Sequence, residues 1–383
     1  MLALGLLLVV AGGLLRSAAV EQGASTGPGA GVLECVDTGP LDSIRALNRF
    51  VRTSPGTNDF LGGDVGVDVT LPDRRQVWFF ADTLRLDTSG RPRLVRNSAL
   101  LFSPGCAQVL HGADGESLIP ERSDGVGYWP MSAFWADLDG EGHLYVFAQR
   151  VRAVSDDPFG FAVLGPAIAR FEVPSSGVPQ LEAVTELGAD RRDQRTPAWG
   201  AATALTSRWA YVYGTSTRRL SGIHGFALRV ARTRPHNLEV QSRWRYWDGS
   251  TWHADPERAA ALISEVGGVS QTLSVFRSGG RWWAFSKRDE FLGTDLALWS
   301  ASSPRGPFAD PVIVGRLACD ERRGDLRYMP LAHPELLPRP GTIVISWSRN
   351  NEDLATVCGD PRLYRPHFAR LRLPEGSSDS YDP

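Results

Sequence analysis

One short phrase returns five times along the chain, and that recurrence constrains the fold more than any single residue does. The copies read VWFFAD, LYVFAQ, AYVYGT, RWWAFS and IVISWS, and their anchors Trp78, Tyr145, Tyr211, Trp282 and Val344 fall 62 to 71 residues apart. A near-constant period means one supersecondary unit repeated, and aromatic and β-branched runs bounded by turn residues read as strands. Before each copy lies an inner strand, opening at Gly62-Gly63-Asp64, Pro130-Met131-Ser132, Trp199-Gly200-Ala201, Val269-Ser270-Gln271 and Ala332-His333-Pro334. After each comes a third strand: Ser98 to Phe102, Ala167 to Val173, Gly225 to Ala231, Leu296 to Ala301 and His367 to Leu373. Fourth strands follow in the first four copies, most clearly Leu181 to Leu187 and Arg243 to Trp247. The fifth copy has no chain left for one, and Val32 to Val36 is expected to supply it and close the ring. Five such antiparallel units without long helical patterns predict an all-β fold, a five-bladed β-propeller over residues 32–374, with a stack of β-sandwiches as the alternative. Ser43 to Val51 and Asp255 to Glu265 are expected as short helices outside the blades, the second with Pro in its first turn. Trp78, Tyr145, Tyr211 and Trp282 are assigned to the core.

The first unit also carries the best candidate chemistry. In GGDVGVDVTLPDRRQVWFFAD, period-two alternation flanks a Pro72-Asp73 turn, so Gly62 to Asp82 reads as a hairpin whose two ends lie together. Asp64 and Asp82 are thereby brought to one end. Hydrolysis of a glycosidic bond needs one carboxyl group to protonate the leaving oxygen and one ionised to attack or to activate water. The competing reading is that each Asp only caps a turn.

If inner strands begin on one face, second strands end on it, and that face collects Asp64, Asp82, Gln149, Arg150, Thr215, Lys287, Asp289, Glu290 and His333. Loop-borne polar groups on a rigid ring are the usual place for function. Asp289, Glu290 and Glu335 are second-tier candidates for the acid, against a solvated charge run. His333 is a candidate substrate contact, against a satisfied structural histidine. Tyr128, Trp129, Trp199 and Trp252 are candidates to stack on sugar rings.

Composition narrows the classes. With Gly 40, Pro 26 and Trp 12 the chain is turn-rich and aromatic-rich, and a net charge of -2 without any basic run argues against nucleic acid. Lys287 is the sole lysine. H-E-x-x-H, the phosphate-binding G-x-x-x-x-G-K-[ST] and G-x-S-x-G are all missing. No cofactor is expected; a calcium ion on Asp64 or loop carbonyls is compatible with oxygen ligands, and no spacing demands one.

Residues 1–19, with an apolar run from Leu2 to Leu15, Arg16 and small residues after it, read as an export signal or retained anchor, and 20–31 as a flexible lead-in. The mature protein is expected to be secreted, periplasmic or at the cell surface, with no other membrane partner, as a monomer. Residues 375–383 read as a disordered tail. Cys35, Cys106, Cys319 and Cys358 allow three pairings, of which Cys35 with Cys106 and Cys319 with Cys358 are favoured.

The phrases GGDVGVDVTLPDRRQVWFFADT, RNSALLF, AWGAATALTSRWAYVYGTS, SSPRGPF and YMPLAHPELLPRPGTIVISWSRNN resemble a bacterial domain-of-unknown-function family. It shares the five-bladed propeller of many glycoside hydrolases and includes actinobacterial endo-D-arabinanases. The resemblance runs from about Val32 to Leu373. It implies that Asp64 is the acid after paired glycines, Asp82 the acid ending the second strand, Asn97 a polar contact, Trp199 the aromatic opening the third blade and His333 the histidine opening the fifth. Ala81 stands where members have Gly, and Gln149 gives the second blade no carboxylate. The expectation is an exported glycoside hydrolase-like protein acting on furanose-rich, arabinan-type polysaccharide, with Asp64 and Asp82 central. The alternative is a non-catalytic carbohydrate-binding or surface-interaction propeller.

Overall fold

The computed structural model describes residues 35–374 except 54–59, 88, 139, 156–159, 176, 192 and 220–222. The leader 1–19, the lead-in 20–31 and the tail 375–383 lie outside the described residues.

Five antiparallel sheets follow one another in chain order. Their inner strands are Phe60–Thr70, Gly127–Leu138, Ala198–Leu205, Ser274–Ser278 and Asp325–His333. Each of the five repeated phrases is a second strand: Gln76–Leu86, Glu141–Ala153, Ala210–Ser216, Arg281–Lys287 and Thr342–Asn351. Each sheet touches the next and the fifth touches the first, so the sheets close into a five-bladed propeller.

One apolar layer fills each gap between blades, which is why the aromatic positions of the repeat recur. Val69, Phe79, Leu101, Val146 and Phe171 lie between the first two blades, and Phe147, Trp199, Val212 and Trp244 between the second and third. Tyr213, Val230, Val275 and Trp299 fill the next gap, Phe285, Leu298 and Ile345 the fourth, and Trp78, Phe102, Val344 and Phe368 the last. Alternate residues of every second strand face opposite gaps, so one strand serves two layers.

Closure differs from the expected strand exchange. Val36–Asp37 pairs with Cys106–Leu110 at the outer edge of the first blade, Val36 opposite Ala107, and the Cys35–Cys106 disulfide fastens it there. Among the described residues the fifth blade has three strands. Its outer edge is covered by the helix Ile44–Thr53, which buries Leu47 and packs Ile44, Phe50 and Val51 against the same layer, one face of a helical repeat. Asn48 completes the edge: its Nδ2 donates to the Phe368 carbonyl at 2.8 Å and its Oδ1 accepts the Phe368 N–H at 2.9 Å. A side-chain amide offers the same donor and acceptor as a peptide group, so one residue stands in for a strand.

Two further expectations are corrected. Asp255 to Glu265 is not a helix beyond the single turn Pro256–Arg258, because Ala260 and Leu262 donate their N–H groups to Trp247 and Leu228 of the third blade. Cys319 and Cys358 are free: Cys319 accepts the Arg327 N–H at 3.4 Å, and Cys358 packs beside Leu84 and Tyr364.

Candidate functional site

The Gly62-Gly63 pair is dictated by close approach. A Cβ on Gly62 would lie 2.3 Å from the Tyr364 carbonyl oxygen, and one on Gly63 3.0 Å from the Phe80 side chain. Just beyond, the register with the second strand slips twice, between Gly63 and Val65 and between Val65 and Val67. Val65, a β-branched residue, is held at φ 68 with its N–H on Ser348 Oγ at 2.9 Å. The double bulge turns the Asp64 side chain to the fifth blade, where its Oδ2 accepts the Tyr328 hydroxyl at 2.8 Å. Its other oxygen, Oδ1, is buried and has no partner among the described residues.

Asp82 ends the same hairpin and meets a different environment. Its Oδ1 accepts the Trp129 indole N–H at 2.7 Å, and the Arg96 guanidinium lies 3.2 and 3.3 Å from its two oxygens. The Tyr364 hydroxyl donates to the Asp82 backbone carbonyl at 2.9 Å and also touches Asp64. Both carboxylates therefore share one mouth, and neither caps the turn beside it.

Their protonation differs. Burial pushes Asp64 from 3.8 up to about 7, and the Asp82 charge pushes the same way against the Tyr328 and Tyr364 hydrogen bonds. Burial also raises Asp82, opposed by the Arg96 charge and the Trp129 hydrogen bond. The Glu121 charge adds a further upward push on Asp82. One carboxyl group is thus poised near neutrality without a cation, and its neighbour is charge-paired.

Glu290 comes from the loop after the second strand of the fourth blade, at φ 52, and its Oε2 accepts the Gln271 N–H at 2.8 Å. Burial pushes it from 4.5 up to about 7. Lys287 holds this loop: its buried Nζ donates to the Phe291 carbonyl at 2.9 Å and to the Arg327 carbonyl at 2.7 Å, tying the Glu290 loop to the residue before Tyr328. Asp289 accepts the Gly267 N–H at 3.1 Å and so stabilises the loop crossing.

Other expected residues sit elsewhere. His333 is the last residue of its inner strand, not the first, because the strand begins at the charged Asp325 and bulges between Tyr328 and Leu331. That carries it to the far end of the channel, fully buried, where Nδ1 meets Asp68 Oδ1 at 2.6 Å, Nε2 meets Ser346 Oγ at 2.7 Å and the ring stacks on Trp78. It joins the fifth blade to the first. Glu335 is exposed and lines, with Asp68, a cavity of about 470 Å³ formed by the later residues of the inner strands, away from the mouth.

Asn97 is buried, and its amide has no group left for a ligand. Both its amide donors are engaged by the Ile119 and Tyr128 carbonyls, and its oxygen accepts the Ile119 N–H, so it holds the strand carrying Trp129. Trp129 reaches the site through its bond to Asp82. Trp199 packs on Tyr246 at 5.1 Å and lines a pocket between the second and third blades. Tyr328, Tyr364, Arg96 and Asn350, whose Nδ2 donates to the Tyr328 hydroxyl at 3.4 Å, complete the mouth. Sequence reasoning missed all four, although Arg96, Tyr328 and Asn350 fell inside phrases already singled out. Among the described residues no three His, Cys, Asp or Glu side chains cluster to hold a metal ion.

The fold and the mouth define a five-bladed propeller with an acidic axial site. The chain belongs to the family described as Domain of unknown function (DUF5005), whose model matches residues 47–373. No curated protein matches it. Among solved structures it is similar to a presumed hydrolase from Bacteroides ovatus ATCC 8483, at 18% identity and a TM-score of 0.61 over 82% of this chain and 86% of that one. An inulosucrase from Halalkalicoccus jeotgali bound to kestose gives 14% identity and a TM-score of 0.49 over 89% of each chain. A GH43_1 enzyme from Xanthomonas citri complexed with xylotriose gives 15% and 0.46 over 88% of this chain and 94% of that one. At 18% identity the likeness to the Bacteroides ovatus protein is one of fold.

Proposed function

We infer that the protein is a carbohydrate-active hydrolase that cleaves glycosidic bonds at the propeller mouth, on furanose-rich, arabinan-type polysaccharide. The observation that carries this reading is the convergence of Asp64 and Asp82 from one hairpin into unlike surroundings. Asp64, held by the Tyr328 hydroxyl without a cation, is the general acid that protonates the leaving oxygen as the glycosidic C–O bond breaks. Asp82, ordered by Trp129 and Arg96, is the carboxylate that attacks the anomeric carbon or deprotonates the attacking water. Glu290, from the fourth blade, is the second candidate for the acid.

The Cys35–Cys106 disulfide and the apolar leader support action outside the cytoplasm. Among the described residues no helix is long and apolar enough to cross a membrane.

A second reading, binding without turnover, is favoured by one feature: the second blade presents Gln149 where a carboxylate would add to the catalytic set. Purified mature protein incubated with arabinan and a polysaccharide panel, with product analysis, separates the two. Hydrolysis lost in Asp64→Asn and Asp82→Asn supports the enzyme. Hydrolysis unchanged in both removes their assigned roles, and binding without products leaves the second reading.

A further inference from the structure

Between the second and third blades a pocket of about 190 Å³ opens on the face that carries Asp64 and Asp82. Gln149, Thr215 and Gln271 line its axial end, from three successive blades, and Leu164, Trp199 and Phe226 form apolar walls. It is small beside the roughly 300–1,000 Å³ of pockets for drug-sized ligands, which suits a single ring.

Two links join it to the proposed catalytic residues. Gln149 pairs across the sheet with Trp129, whose indole holds Asp82. Gln271 donates its N–H to Glu290 at 2.8 Å. The outer wall is fixed in advance: the buried Arg150 guanidinium grips the Gly188 carbonyl at 3.0 Å, the Ala189 carbonyl at 3.3 Å and Glu186 at 2.7 Å.

Gln149 is the anomaly in this arrangement. It is 3% exposed, yet its Nε2 has no hydrogen-bond partner among the described residues. A buried amide donor without an acceptor is destabilising, and a site retains one when a ligand supplies the missing oxygen. The neighbouring Thr215 hydroxyl does not supply it: it donates to the Gln271 carbonyl at 2.8 Å and is not bonded to the Gln149 amide.

We propose that this pocket is a subsite for one neutral, polyhydroxylated ring of the substrate, with Gln149 donating to a ring or hydroxyl oxygen and Trp199, Leu164 and Phe226 covering the apolar face. The assignment rests on the carbohydrate reading above. A neutral ligand is specified because the polar groups at the buried axial end are two amides and a hydroxyl, which offer no compensation for a buried charge, while the charged lining residues Arg191, Asp193 and Glu257 are all exposed to solvent. Gln149 is a binding and specificity residue here, not an acid or base.

The test measures binding by calorimetry of linear arabino-, xylo- and fructo-oligosaccharides of two to six rings to the full mature protein carrying Asp82→Asn, with and without Gln149→Leu or Gln149→Glu. Ligand-free melting temperatures are recorded alongside, and turnover is measured in the wild type. Losing one hydrogen bond should weaken binding about 3- to 10-fold in Gln149→Leu. Its ligand-free melting temperature should hold or rise, since a buried orphan donor is replaced by an apolar group. Gln149→Glu, which exchanges the donor for a charged acceptor, should bind more weakly still.

A residue with a merely structural role would give the opposite pair of results, a lower melting temperature and unchanged affinity, and that pair overturns the proposal. Wild-type turnover together with affinity indifferent to Gln149 overturns the subsite and keeps the hydrolase. Gln149-dependent binding without wild-type turnover keeps the subsite and overturns the hydrolase. No binding by any oligosaccharide overturns the subsite, and overturns the hydrolase too when the wild type shows no turnover.

Discussion

Replacing Asp64 by Asn should make the protein more stable above neutral pH while removing its activity. In the folded protein burial and the Asp82 charge hold the Asp64 proton up to about 7, against 3.8 for the ordinary carboxyl group. Between those values the folded state binds more protons than the unfolded state, so stability falls as pH rises. The contribution is fully present below 3.8 and is lost as pH rises through about 7. At about 1.36 kcal/mol for each pH unit the gap corresponds to about 4 kcal/mol, and partial exposure of the side chain to water reduces this to roughly 2–4 kcal/mol. Asn keeps the shape and still accepts the Tyr328 hydroxyl, so the variant should lose the titration with little other loss.

Urea unfolding from about pH 5 to about pH 8.5, analysed by linear extrapolation, reads this directly. Near pH 5, where the unfolded carboxyl group is already ionised, Asp64→Asn should be ahead by about 1–2 kcal/mol, and at about pH 8.5 it should be the more stable by roughly 2–4 kcal/mol. Glu290, raised from 4.5 to about 7 by burial, adds a slope of the same sign. The single variant should therefore keep part of the pH dependence, and Asp64→Asn with Glu290→Gln should be flatter again, with Asp82, also raised by burial, left to contribute a slope of the same sign. An Asp64→Asn protein with the wild-type slope, or one less stable than wild type at the alkaline end, would refute the claim that Asp64 is held protonated at the mouth.

Arg96→Leu removes the cation that opposes burial at Asp82, so the acid limb of kcat/KM should move to higher pH, a shift checked by a pH–rate profile. His333→Leu leaves Asp68 without its partner inside the joint between the last and first blades, and urea unfolding should show a loss of about 3–5 kcal/mol. Cys106→Ser opens a loop whose cysteines are 71 residues apart and should lower stability by about 4 kcal/mol under oxidising conditions, with no difference from wild type in reductant.

The ring was legible because its signal is periodic. Five aromatic phrases at one spacing become five second strands, and the expected third strands lie within a few residues of those observed. Closure was not legible, since a side-chain amide replacing a strand leaves no periodic trace: Asn48 looks like any polar position on the helix Ile44–Thr53. The inner strand of the fifth blade was misplaced for a related reason. Its true start, Asp325 to Arg327, alternates charge with one apolar residue, and the bulge after Tyr328 breaks the period-two pattern that would have revealed it.

The candidate site was half legible, and the missing half follows from how it is built. Asp64 and Asp82 could be paired because one hairpin carries both, which is local information. Tyr328 and Tyr364 arrive from 264 residues away and from the last blade's outer connection, and nothing in a linear pattern joins them to the hairpin. The backbone shows the same division. Among the described residues six non-glycine positions have positive φ, and four of them are Val65, Met329, Asp289 and Glu290. Two flank Asp64 and Tyr328, and two form the Glu290 loop. Such conformations cost about 1–3 kcal/mol each and persist only where packing over-determines them. Gly would relieve that strain at Val65 but would also free the bulge that aims Asp64 at Tyr328. The irregularities that hid the mouth from the sequence are therefore the ones that aim its carboxylates, while the blades around it obey the period that disclosed them.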